Sequence, residues 1–130
     1  MKSITFALPL SGAGYGLEAA LFGLLSRCRS VSEVVVVGDD SAKGAWEMLY
    51  RLRREESRLR CVRLNSPMGT AFAMNCAVRT AAGDAIFFSD SVEEETAATF
   101  DRVIAVLART GVLAVVCPGK EWPTRYALAV

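Results

Sequence analysis

The sequence predicts a three-layer αβα domain built on a mostly parallel, doubly wound sheet, and three observations carry that expectation. Val34 to Val37 is a strand with no polar face, the pattern of a central parallel strand covered by helices on both sides. Strand-like and helix-like runs alternate in the order βαβαβαβαβ, joined by connections of a few residues. An apolar fraction of 52% over 130 residues suffices for one buried core, so residues 1–130 are read as a single domain. Right-handed crossovers then give the order 3-2-1-4 at the centre of the sheet.

Each element has its own signal. Ser3 to Leu8 reads as the first strand, rich in Ile, Phe and Thr, and Pro9 ends its ladder because it has no N–H to donate. From Leu17 to Cys28 apolar residues recur at three and four, which marks a helix. Val31 to Val37 is the second strand. Trp46, Leu49, Tyr50 and Leu52 place a second helix between Lys43 and Ser57, and Arg60 to Leu64 gives a third strand. After the turn Asn65-Ser66-Pro67, the small residues of Gly69 to Ala82 form a third helix able to approach the sheet closely, with Gly83 as a left-handed cap. Ala85 to Phe88 is a fourth strand. Ser91 and Glu94 have the S-x-x-E spacing of a helix start, so a fourth helix runs to about Arg109. Val112 to Cys117 and Arg125 to Val130 are the remaining strands.

Composition narrows the chemistry. Fifteen basic residues against fourteen acidic ones give no net field towards nucleic acid or anionic membrane. Arg51, Arg53, Arg54, Arg58 and Arg60, interrupted by Glu55 and Glu56, read as a solvated helix face rather than a phosphate patch. The chain has no histidine, which removes Ser-His-Asp and Cys-His catalysis and the commonest zinc ligand together. Cys28, Cys61, Cys76 and Cys117 are widely spaced beside apolar residues, the habit of reduced thiols in a cytoplasmic protein. No run approaches the roughly 20 apolar residues of a membrane span.

Three loops meet at the carboxyl edge of such a sheet, where ligands of open α/β domains bind. The first, Pro9 to Gly16, holds Ser11, Gly12, Gly14 and Gly16, and its glycines either admit a phosphate to backbone N–H groups or serve a turn. It is not a dinucleotide fingerprint, because Leu17 stands where G-x-G-x-x-G needs glycine, although the spacing G-x-G-x-G suits a methyltransferase-like nucleotide loop. In the second loop Asp39 and Asp40 close the most apolar strand, either as partners of a ribose or base or as turn acids. In the third, Glu93 to Glu95 complement a helix dipole, whereas Asp90 precedes the cap and can meet a diphosphate-bound Mg²⁺ or Mn²⁺ through oxygen.

With these residues in view, Ile4 to Val116 resembles the nucleotide-binding half of the family 2 glycosyltransferases, which have the GT-A fold. The strand ending in Pro9 resembles the family's I-P-x-x-N opening, and Val34 to Ser41 resembles the strand before D-D-G-S, with Gly44 as the glycine that follows. Asn65, Gly69, Ala73 and Asn75 resemble N-x-G-x-x-x-A-R-N, and Ala81-Ala82-Gly83-Asp84 resembles A-x-G-[DE]. Ser89-Asp90-Ser91 falls where the family has its metal-binding D-x-D. The resemblance implies nucleotide contacts from Pro9, Ser11, Gly12, Asp39, Asp40, Gly69 and Asn75, and a metal contact from Asp90.

The departures are informative too. Without a gap, the family's first aspartate falls on Gly38, its second on Asp39 and its glycine on Asp40; Met74 replaces the usual arginine; and serines flank Asp90. Hydroxyls are poor ligands for a divalent cation beside carboxylates. The family's acceptor-binding half has no counterpart in these 130 residues. The leading expectation is therefore a degenerate or truncated glycosyltransferase-like domain that holds a nucleotide or nucleotide-sugar without full transferase activity alone. A non-catalytic interaction or dimerisation domain is the alternative, and a methyltransferase the second. The apolar tail Tyr126 to Val130 is expected to pack at a two-fold interface of a homodimer, protecting an exposed strand edge.

Overall fold

The computed structural model describes residues 3–10, 17–28, 31–40 and 44–88, together with Arg102, Ala105, Ala114–Val115 and Ala127–Ala129. In chain order these form β1 (Ile4–Leu10), α1 (Leu17–Arg27), β2 (Val31–Gly38), α2 (Ala45–Glu55), β3 (Leu59–Arg63), α3 (Gly69–Thr80), β4 (Ala85–Phe88), β5 (Ala114–Val115) and β6 (Ala127–Ala129). The strands make one sheet in the order β3-β2-β1-β4-β6-β5. The first four are parallel, in the central order that βαβ winding requires.

The period of two along the strands sorts side chains between two layers. Ile4, Phe6 and Leu8 of β1 and Val34 and Val36 of β2 face α1 and α2, meeting Leu21, Leu24, Trp46 and Leu49. Phe6 stacks on Phe87 with ring centroids 5.3 Å apart. Ala7, Val35, Val37, Ile86 and Phe88 face the other way, onto Ala73 and Ala77 of α3. The four valines are each fully buried, as a central strand demands.

Three expectations need correction. Strand β1 continues through Pro9 to Leu10, in register with Val37 and Gly38. Its described pairing with β4 runs from Ile4 and Ala85 to Ala7 and Phe88, so Pro9 lies beyond the last described pair on that side. Gly83 is not a left-handed cap, because positive φ among the described residues is confined to Gly44 and Gly69. It is needed for contact instead: a Cβ there would stand 2.6 Å from Thr5 Oγ1 and 2.8 Å from Thr5 N.

Of the arginines read as a solvated face, only those on α2 behave so. Arg58 instead chelates Glu56 and donates to the carbonyls of Leu25 (2.7 Å) and Val31 (3.3 Å), tying the end of α1 to β3, while Arg60 reaches Glu33 and the Thr80 carbonyl. In the tail, β6 lies antiparallel between β4 and β5.

The fourth helix lies outside the described residues except for Arg102 and Ala105, both helical. Cys61 and Cys76 are free thiols, Cys28 is buried, and Cys117 lies outside the described residues. Among the described residues no helix is long and apolar enough to cross a membrane.

Candidate nucleotide site

The carboxyl ends of β1, β2 and β3 form a corner whose construction starts at Gly38. A Cβ at this position would lie 2.9 Å from Leu10 Cβ, 3.2 Å from Leu10 O and 3.3 Å from Trp46 Cζ2. A side chain there would force Leu10 or Trp46 to shift, which gives a packing reason for glycine at this position. The Gly38 carbonyl accepts the Leu64 N–H at 2.7 Å, so β3 continues to hold β2 at its last residue.

Asp39 and Asp40 then leave the sheet under separate restraints. The indole Nε1 of buried Trp46 donates to the Asp39 carbonyl at 2.7 Å. The Asp40 carboxylate is taken by Arg63, whose Nε and Nη2 approach its Oδ1 at 2.8 and 2.7 Å. The Arg63 guanidinium lies over the Trp46 ring, 5.5 Å from its centroid, and Trp46 in turn packs beside Tyr50 at 5.9 Å. Asp40 first, and the Tyr50 hydroxyl after it, raise the pKa of Arg63 above its ordinary value.

The expected site residues divide accordingly. Pro9, beside Val37, and Asp39 stand on adjacent strand ends at this edge. Gly69 opens α3 with φ +84°, a left-handed conformation that favours glycine, and Met68 before it supplies no side-chain cap to the first N–H groups of the helix. Asn75 is exposed, on the side of α3 opposite the buried Ala73 and Ala77, and is not brought to the corner. Ser11, Gly12 and Asp90 lie outside the described residues, as do the glycines at 14 and 16 that suggested a methyltransferase. Among the described residues no cluster of His, Cys, Asp or Glu could hold a metal ion.

A second polar group lies at the opposite end of the sheet. Glu33, the one buried carboxylate among the described residues, accepts from Thr5 Oγ1 at 2.7 Å, from the Ala82 N–H, and from Arg60 Nη1 at 3.4 Å; Gly83 N donates to Thr5 Oγ1 at 3.0 Å. Burial pushes the Glu33 carboxyl up, but Thr5, Ala82 and Arg60 together outweigh it and hold the group below the usual carboxylate value. It stays ionised and joins β1, β2, β3 and the end of α3, a structural role. Burial also raises the Cys61 thiol, against a smaller opposing effect of Arg53.

Sequence reasoning passed over Glu33, Trp46 and Arg63. Glu33 did carry a signal, since an acid directly before four buried valines must be satisfied somewhere. For Trp46 and Arg63 the pattern gave only a helix core residue and a strand residue; their meeting is a property of the α2–β3 packing.

Similar proteins fit this geometry. Residues 15–123 match the profile of glycosyl transferase family 2. Over 75 residues the chain is 32% identical to the Escherichia coli UDP-Glc:alpha-D-GlcNAc-diphosphoundecaprenol beta-1,3-glucosyltransferase WfaP, an overlap of 58% of this chain and 29% of that protein. Its fold is similar to that of the mannosyltransferase PcManGT from Pyrobaculum calidifontis, solved with GDP-Man and Mn²⁺, at a TM-score of 0.73 and 24% identity, over 92% of this chain and 36% of that one. TarS residues 1–349 from S. aureus gives 0.70 and 18%, over 93% and 38%. Glucosyl-3-phosphoglycerate synthase from Mycobacterium tuberculosis, solved with Mn²⁺, UDP and glucosyl-3-phosphoglycerate, gives 0.69 and 16%, over 87% and 42%. This chain thus spans well under half the length of each of these relatives. The profile covers most of the chain and the sheet order is that of a GT-A domain, so the chain belongs to glycosyl transferase family 2.

Proposed function

We propose that these 130 residues bind the nucleotide part of a nucleoside diphosphate sugar at the carboxyl edge of β1 and β2, and so supply the donor half of a sugar transferase. The observation that carries this reading is the corner at Gly38–Asp39. Its backbone is fixed by Trp46 and Leu64, and it presents an acid at a strand end of an open α/β sheet. Asp39 accepts from the ribose or the base, while Pro9 and the start of α3 at Gly69 border the same edge. Ser11 and Gly12 stand on the loop that follows β1, suited by residue type to a phosphate.

The donor set at the family's metal position, one carboxylate from Asp90 between the hydroxyls of Ser89 and Ser91, does not fit a tightly held divalent ion. No step is assigned to Mg²⁺ or Mn²⁺, and the span is expected to bind donor without completing transfer by itself. Support comes from the family membership and from relatives solved with GDP-Man or UDP. The alternative, an interaction domain that kept the fold, draws on Met68, Phe72 and Val78, all exposed on or beside α3. Calorimetric titration with UDP and GDP, with and without Mn²⁺, decides between the two. Nucleotide binding that changes by less than about threefold with the metal is the expected result, and heatless titrations with both nucleotides reject the donor-site reading. S-adenosylmethionine, run in parallel, is expected not to bind.

A further inference from the structure

We infer that Arg63 is a positioning residue for the nucleoside subsite: by holding Asp40 against Trp46 it keeps a second carboxylate out of the corner and leaves Asp39 as the acid that meets the nucleoside. The inference rests on the donor-site reading above. It starts from a mismatch between contacts and exposure. The side chains of Arg63 and Asp40 are 46% and 63% exposed, and ion pairs so open to water add little to stability. Arg63 is nevertheless held three ways, by two approaches to one Asp40 oxygen and by the face of Trp46. Trp46 in turn is held at Gly38 and at the Asp39 carbonyl. One buried ring therefore fixes both neighbours, the backbone of Asp39 and, through Arg63, the side chain of Asp40.

The position in the sheet says which part of a nucleotide this affects. Strands in a sheet lie about 4.8 Å apart, and β3, which ends in Arg63, is separated from β4, which leads to Asp90, by β2 and β1. Three spacings put the two strand ends about 14 Å apart. A diphosphate near Asp90 is thus remote from Arg63, and the guanidinium acts at the nucleoside end. Loss of Arg63 would release an exposed carboxylate one residue from Asp39, where it competes for the same N–H and O–H donors.

The test uses the whole 130-residue chain with uridine and UDP, and guanosine and GDP, titrated against wild type, Arg63→Gln, Arg63→Lys, Asp40→Asn and the Arg63→Gln/Asp40→Asn double variant, with thermal midpoints measured alongside. Arg63→Gln is expected to weaken nucleoside and nucleoside diphosphate alike by about tenfold, with little change in midpoint. The double variant recovers most of that loss, because the carboxylate that Arg63 restrains is gone. Arg63→Lys, which keeps the charge but not the planar stack, falls between. Loss for the diphosphate but not the nucleoside would make Arg63 a phosphate cation and overturn the inference, as would an Arg63→Gln effect confined to the thermal midpoint, or no recovery in the double variant. Wild-type protein that binds none of the four ligands rejects the donor-site reading itself, and this inference with it.

Discussion

Two acids at opposite ends of the β2 segment illustrate how position decides what a carboxylate does. Asp39, past the end of the strand, has its carbonyl fixed by Trp46, and Asp39→Ala is expected to weaken nucleotide binding by about 1 to 3 kcal/mol, the usual cost of losing a charged hydrogen-bond partner. An affinity for UDP or GDP equal to that of wild type would move the site elsewhere. Glu33, within the strand, is buried and satisfied by Thr5 and Ala82, with half-exposed Arg60 adding little. Glu33→Ala leaves those donors without an acceptor and is expected to cost about 3 kcal/mol in chemical denaturation. Its pH dependence has a definite sign. The folded carboxyl titrates below its unfolded value, so ionised Glu33 contributes stability above the unfolded pKa of about 4.3 and loses it as pH falls through the lower folded value. Thermal midpoints of wild type should therefore fall more steeply below about pH 5 than those of Glu33→Gln, and parallel curves would show that the group is not linked to folding.

At the scale of elements, the strongest periodicities were read correctly and the contacts between elements were not. The valine run of β2, the amphipathic pattern of α2 and the four residues of β4 are legible because burial on one or both faces is written into a local spacing. The path of β1 through Pro9 is set by its pairing with Val37 and Gly38 of β2, which no property of β1 alone reveals. Glycines make the same distinction. Gly83 reads as a helix cap by sequence position, yet what it serves is the approach of the α3–β4 connection to Thr5. Gly83→Ala is expected to destabilise by about 1 to 3 kcal/mol, because the new methyl meets backbone as well as the hydroxyl. Gly23 in α1 has nothing within 4 Å of an added Cβ, so Gly23→Ala should stabilise by about 0.5 to 1 kcal/mol. Opposite shifts in the urea midpoint, with unchanged slope, check both at once.

For the molecule as a whole, the winding rule yields β3-β2-β1-β4 from sequence alone, since right-handed βαβ units leave little choice. In the other half of the sheet the strand positions were legible, since β5 and β6 fall within Val112 to Cys117 and Arg125 to Val130, but their order was not, because antiparallel pairing obeys no crossover rule. That half nevertheless decides how the edges are protected. On one side β3 ends the sheet as a strand carrying the exposed Arg60 and Arg63, and such charges oppose edge-to-edge pairing. On the other, Ala127, Leu128 and Ala129 pair with Phe87, Ile86 and Ala85, so the tail stands between the apolar β4 strand and outside partners. Removing residues 126–130 would strip that neighbour from β4 and leave Ala85 to Phe88 as an uncharged edge. The shortened chain is expected to self-associate at tens of micromolar in light scattering, at concentrations where the full chain is less associated, and to unfold at a lower temperature. Equal masses and equal midpoints for the two chains would show that β6 contributes nothing to the sheet, and would return the tail to the role of a contact between copies.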